Sequence, residues 1–148
     1  MKTVMRQRYF CDFCKKSGGS KGHMRRHEER CTMNPNRKCG MCSFTKQTQP
    51  KLKDLIEILP NPKDYPSTYE GVPNWRGLFD EEKLRMAVIS KINDLRKASG
   101  DCPACIMAAL RQSGIPVYLA EGFHFSDECK EIFLTINNEL ALRECGNY

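Results

Sequence analysis

Apolar residues recur at helical spacing mainly in the second half of this chain. Leu84, Val88, Ile92 and Leu95 stand three or four apart, which puts them on one face of a helix. Asp80 precedes them as an N-cap, Glu81 and Glu82 lie in the dipole-favoured first turn, and Gly100 supplies the stop. A second helix is predicted from Asp101–Pro103 to Gly114. Val117–Leu119 then reads as a brief extended run. Ser126 is expected to cap a last helix, with Cys129, Ile132, Phe133, Ile136 and Leu140 on one face and Gly146 at its close. Upstream, Pro50 suits a first helical turn, and Leu52, Leu55, Ile56 and Leu59 continue it as a short helix.

Breakers interrupt this pattern between residues 60 and 79, where Pro60, Pro62, Pro66, Gly71, Pro73 and Gly77 leave room for no regular element. The segment is expected to drape over the core, anchored by Tyr65, Tyr69, Trp75 and Phe79. No internal repeat is visible. The expected fold is mainly α, with a C-terminal three-helix body small enough to benefit from a metal staple. Three regions are expected: 1–45, a basic zinc-finger region; 46–79, a short helix and Pro-rich loop; and 80–148, the helical body.

Charge divides the 148 residues unevenly. Residues 1–53 carry 14 Lys/Arg and 3 Asp/Glu, a net of +11. Residues 54–148 carry 10 and 15, a net of −5. A basic head on an acidic body points to an anionic partner, most often nucleic acid. No apolar run is long enough for a membrane span, and residues 1–10 lack the core of a secretory signal. A cytoplasmic, reducing setting is expected, with neither a membrane nor a small-molecule substrate as partner.

The 9 cysteines add the chemistry. Three Cys-x-x-Cys pairs occur, at 11/14, 39/42 and 102/105. Two residues between thiols let both sulfurs face one ion. Cys11 and Cys14 are followed, after twelve residues, by His27 and then Cys31. His27 and Cys31 are four apart and share one face of a helix. The soft and borderline donors suit tetrahedral zinc. Ser20 is placed to cap that helix after Gly18–Gly19. His23, four before His27, is a rival ligand by spacing; the longer spacing favours His27, and His23 is read as a surface residue.

This stretch resembles a two-cysteine, two-histidine zinc finger whose last ligand is a cysteine, and the resemblance covers residues 9–31. Tyr9 stands where that family places an aromatic, and Met24 where it places a leucine. Gly18 stands where it places a second aromatic, so the finger's small core is incomplete unless Phe13 substitutes. The resemblance implies a ββα module. It also implies that Ser20, His23 and Arg26 occupy the positions that reach base edges in DNA-reading members. Arg26 and His23 suit guanine acceptors, while Lys15, Lys16, Lys21, Arg25 and Arg30 suit phosphates. A lone finger reads only about three base pairs, so sequence-independent phosphate contact is the simpler expectation.

Cys39, Cys42, Cys102 and Cys105 remain. Cys102-Pro-Ala-Cys105 at a helix start also has the look of a redox pair. Joining both pairs into one four-thiolate zinc site is the economical reading, with 59 residues between Cys42 and Cys102. The first pair would form a knuckle eased by Gly40 and the second would open a helix. That arrangement resembles a treble clef, so two zinc ions are expected in all. Treble clefs also occur in His-Asp nucleases. Those need a general-base histidine near the zinc, and no histidine lies between Cys42 and Cys102. His124 is the sole histidine outside the head and reads as a turn residue. Two sites each closed by four protein ligands argue against catalysis. Cys129 is expected in the core, and Cys145 has no assigned role.

With Cys31–Cys42 (CTMNPNRKCGMC) and the Cys102–Gly114 helix opening, the chain as a whole resembles small zinc-binding proteins of bacteriophages that have no assigned function. The expected function is non-enzymatic: zinc-stabilised contact with nucleic acid through the basic head. A protein-interaction module, as an adaptor or inhibitor, is the alternative, and a nuclease the second alternative.

Overall fold

The computed structural model describes residues 1, 5–67 and 79–145, the last seven of these by backbone only. Gly71, Pro73, Gly77, Tyr69, Trp75, Gly146 and the side chain of Leu140 lie outside what is described. The chain is mainly helical. Two short strands, β1 (Tyr9–Phe10) and β2 (Ser17–Gly18), precede α1 (Lys21–Arg30). Then follow α2 (Gly40–Phe44), α3 (Leu52–Ile58), α4 (Glu81–Ser99), α5 (Pro103–Gln112) and α6 (Phe125–Cys145).

The longest uninterrupted apolar stripe becomes α4. Asp80 caps it, accepting from the Lys83 N–H at 3.2 Å. Gly100 ends it in the left-handed conformation at φ +60°, which glycine adopts without a side-chain clash. Leu84, Val88, Ile92 and Leu95 are all buried, as their spacing requires. Pro103 opens α5, and every residue from Cys105 to Leu110 is buried. A helix apolar on all sides belongs at the centre of a core. Leu52, Leu55 and Leu59 of the α3 region pack into the same core.

Among the described residues the core's helices are thus α3, α4 and α5, and α6 adds no fully buried side chain to it. Phe133 is 45% and Leu134 62% exposed, while Cys129, Ile132 and Ile136 are half-buried. The α6 stripe identified the face turned toward the body but not how much of that face a neighbour covers. Cys129 accordingly sits at the edge of the core rather than within it, and burial pushes its thiol pKa up.

Three local expectations are corrected. Val117–Leu119 is a turn of 3-10 helix, not an extended run. The Leu119 N–H bonds to the Pro116 carbonyl at 3.0 Å and the Ala120 N–H to the Val117 carbonyl at 3.1 Å. Three apolar residues fit a 3-10 turn as well as a strand. The last helix starts before Ser126, because the His124 carbonyl accepts from both Asp127 and Glu128 at 3.0 Å. Its N–H in turn donates to the Glu128 carboxylate at 3.3 Å. Within the Pro-rich loop, Pro62–Asp64 forms a 3-10 turn capped by Asn61. Tyr65 and Phe79 do pack on the core. The Asp80 N–H donates to the Tyr65 carbonyl at 2.7 Å, joining the two described ends of that loop.

Arg96 ties α4 to α6. It reaches Glu128 at 2.6 Å and the Gly122 carbonyl at 3.1 Å, and stands 5.9 Å above the Phe123 ring. At the head, β1 and β2 pair antiparallel, Tyr9 opposite Gly18 and Phe10 opposite Ser17. Helix α1 packs against both strands, giving a small ββα module.

Candidate metal centres

In the first centre, Cys11 and Cys14 lie on the turn between the strands, His27 on α1, and Cys31 at the C-cap of α1. Their ligand atoms all fall within 4.8 Å of one another. His27 Nε2 is 3.2 Å from Cys14 Sγ. Cys11 and Cys31 are buried, and Cys14 and His27 half-buried. Hydrogen bonding from the Lys16 N–H leads the effects that lower the Cys14 pKa to about 7. The donor N–H therefore favours the thiolate that a metal needs. His23 is exposed and outside the cluster.

Little else holds the finger together. Its buried residues are Cys11, Met24 and Cys31, with Tyr9 and Cys14 packed against them. Phe13 is 40% exposed and does not replace the missing aromatic. Met24 does so instead: its Cε stands 3.4 Å from where a Cβ on Gly18 would lie. A flexible thioether reaches over the glycine and fills part of the space a ring would take.

In the second centre, Cys39, Cys42, Cys102 and Cys105 meet within 4.8 Å. Cys39 Sγ is 3.6 Å from Cys102 Sγ, and Cys42 Sγ is 3.6 Å from Cys105 Sγ. A disulfide needs about 2.05 Å. A tetrahedron with zinc–sulfur bonds of about 2.3 Å has edges of about 3.8 Å, close to what is found. The redox reading of Cys102 and Cys105 thus gives way to a four-sulfur set.

Both pairs open helices: Cys39 is the N-cap of α2 and Cys102 that of α5. The expected knuckle at 39–42 is therefore a helix start. Gly40 does not ease a turn; it lies in α2, where a Cβ would stand 3.7 Å from Arg30 Nη1.

All four thiols are at most 4% exposed. Hydrogen bonds from Cys102 and Cys105 hold the Cys39 thiol pKa far down. Burial pushes Cys42 up to about 12, and hydrogen bonding to Cys102 drives Cys105 up as well. A dication allows all four to ionise, so the donor set fits zinc.

The residue that sequence reasoning missed is Arg37. It is 5% exposed, and its Nη1 stands 3.9 Å from Cys105 Sγ. Its Nε has no hydrogen-bond partner. A buried guanidinium with an orphaned N–H needs an anionic surrounding, and four thiolates around zinc supply one. Gln49 holds this strip, donating to the Arg37 carbonyl at 2.8 Å and accepting from the Cys39 N–H. Thr32 is a second missed position. Arg111 donates to its hydroxyl at 3.0 Å and Gln112 to its carbonyl at 2.8 Å, which docks the end of the finger on α5. No spacing rule marks these residues; Arg37 reads in sequence as one more charge of the basic head.

The eight residues assigned to nucleic acid are all exposed: Lys15, Lys16, Ser20, Lys21, His23, Arg25, Arg26 and Arg30. The Ser20 hydroxyl already accepts from the His23 N–H at 3.4 Å, as a helix cap. Arg25 pairs with Glu29 at 3.9 Å. Arg30 lies against α2, away from the start of α1.

The likeness to a zinc finger is one of ligand spacing and ββα shape. No family model, curated protein or solved structure matches the chain, so neither membership of that family nor a bacteriophage origin gains support from relatives.

Proposed function

We propose that this is a non-enzymatic, cytoplasmic zinc-binding protein whose basic head contacts nucleic acid. The observation that carries the reading is the uncompensated charge of the head. Of the six Lys and Arg residues assigned there, only Arg25 joins an ion pair among the described residues. Of the head's three carboxylates, Glu29 is that partner and Glu28 accepts from the Asp12 N–H at 2.9 Å. Exposed cations with so few counter-ions attract a polyanion. Four protein donors at each centre leave no position for a catalytic water, which supports a structural role for the metal. Among the described residues, no helix is long and apolar enough to cross a membrane.

A gel shift across a salt series tests this. Binding should be present at low salt and weaken steeply as salt rises. Complete absence of binding at low salt would sink the reading. The double variant Arg25→Ala, Arg26→Ala should weaken binding while keeping its zinc; equal binding would remove α1 from the contact.

One observation favours protein interaction as a second reading. The Phe44 and Phe133 rings pack 5.0 Å apart, yet stay 43% and 45% exposed beside exposed Leu134. An apolar patch of this kind suits a protein partner. Under that reading Phe133→Glu abolishes partner binding and leaves the head's salt-dependent binding intact.

A further inference from the structure

We infer that the head's nucleic-acid ligand is single-stranded, its bases stacking on Phe10 and Phe13 and its phosphates lying on the cations around them. This rests on the nucleic-acid reading above and specifies the ligand.

Phe10 is 64% and Phe13 40% exposed, on a module with hardly any core. The alternation of a strand explains the first. Tyr9 turns toward Met24 and the sulfurs, so Phe10 turns outward. Phe13 lies on the turn between Cys11 and Cys14 and stays outside the finger cluster. Neither ring serves the packing of the head.

Exposed cations flank both rings. Arg6 and Arg8 precede Phe10, and Lys15 and Lys16 follow Phe13. None of these four joins an ion pair among the described residues. An open recess of about 610 Å³, lined by Arg6, Gln7, Arg8, Tyr9 and Gly19, adjoins the strand that carries Phe10. Aromatic faces interleaved with unpaired cations are what a single strand requires: each base offers a π-face and each phosphate a charge.

A duplex uses these groups poorly. Its bases are already stacked on one another and present edges, not faces. Major-groove reading would instead use Ser20, His23 and Arg26 along the first two turns of α1, and the Ser20 hydroxyl there is already engaged as the helix cap. The end of α1 is docked: the Lys38 N–H donates to the Glu29 carbonyl at 2.7 Å, and Thr32 is held by Arg111 and Gln112.

The test uses the full, zinc-loaded chain and fluorescence anisotropy. The probes are a labelled oligothymidylate, an oligouridylate and a duplex of equal length; the first two separate DNA from RNA as the source. Single strands should bind more tightly than the duplex. Phe10→Ala with Phe13→Ala should weaken single-strand binding by about ten- to a hundredfold. The salt slope should stay unchanged, since a ring releases no counterions. Unaltered zinc content would show that the finger is intact. As a second variant, Phe10→Trp should retain binding, and its added fluorescence should be quenched by the oligothymidylate.

Equal binding of duplex and single strand, with the alanine variants unaffected, would overturn the stacking inference and leave the nucleic-acid reading standing. So would a Phe10→Trp signal that stays constant while the strand binds. Failure to bind any of the three probes at low salt would overturn both.

Discussion

The Arg37 guanidinium reaches within 3.9 Å of Cys105 Sγ, in a pocket where all four thiols of the second centre are buried. Zinc with four thiolates carries a net charge of −2, which is costly away from water. Arg37 offsets half of it. Residues that support metal ligands in this way typically contribute about ten- to a hundredfold in metal affinity. Arg37→Met should therefore weaken zinc binding at this centre by about that factor, measured by chelator competition. Arg37→Lys should recover part of the loss, since it restores charge without the planar fork. Wild-type affinity in Arg37→Met would show the charge to be incidental.

The two centres should respond differently to loss of metal. The finger's buried set is Met24 and two of its own ligands, whereas α3, α4 and α5 share many aliphatic side chains. A module without an apolar core takes its folding free energy from the metal. Cys31→Ser should unfold residues 9–31 and leave the body's cooperative melting in place. Cys102→Ser should lower the melting temperature of the body itself, because it severs α2 from α5. Backbone amide spectra of the two variants distinguish these outcomes; global unfolding in Cys31→Ser would contradict the first.

How much of this was legible in the sequence depended on whether a feature is local. The spacing of Cys11, Cys14, His27 and Cys31 is a short-range pattern, and the structure brings all four together. Capping by Asp80 and Gly100 is local too, and both ends of α4 fall where those residues stand. The pairing of Cys39 and Cys42 with Cys102 and Cys105 follows from ligand type and the two-residue spacing within each pair, and the four meet. What escaped were properties set by neighbours distant in sequence. Arg37 meets Cys105 across 68 positions, and Thr32 meets Arg111 across 79. Neither leaves a periodic trace. The exposure of α6 belongs to the same class, because Phe133 and Leu84 look alike as members of a stripe.

That contrast between stripes can be measured. Leu55 is 1% exposed on α3, and Phe133 is 45% exposed on α6. Leu55→Ala should cost about 2–5 kcal/mol, the range for deleting a buried leucine side chain. Phe133→Ala removes a larger side chain, yet should cost clearly less, because much of its ring already faces water. Urea melts at constant zinc give both values. If Phe133→Ala costs as much as Leu55→Ala, α6 is part of the cooperative core after all.

Asp80 gives a pH dependence with a definite sign. Its carboxylate accepts from the Lys83 side chain and backbone N–H, and these hydrogen bonds hold its pKa below the usual 3.8. A group with a depressed folded pKa stabilises the fold above its unfolded pKa and loses that contribution as pH falls through the folded value. The contribution should therefore be constant from neutral pH down to about 5 and fade below about 4. Asp80→Asn keeps an N-cap acceptor but cannot titrate. The melting temperature of the native protein minus that of Asp80→Asn should be positive and flat near neutrality, then shrink on acidification. Zinc loss in acid lowers both curves alike, so the difference isolates the cap. A difference that grows as pH falls would mean that the Lys83 pairing does not stabilise the start of α4.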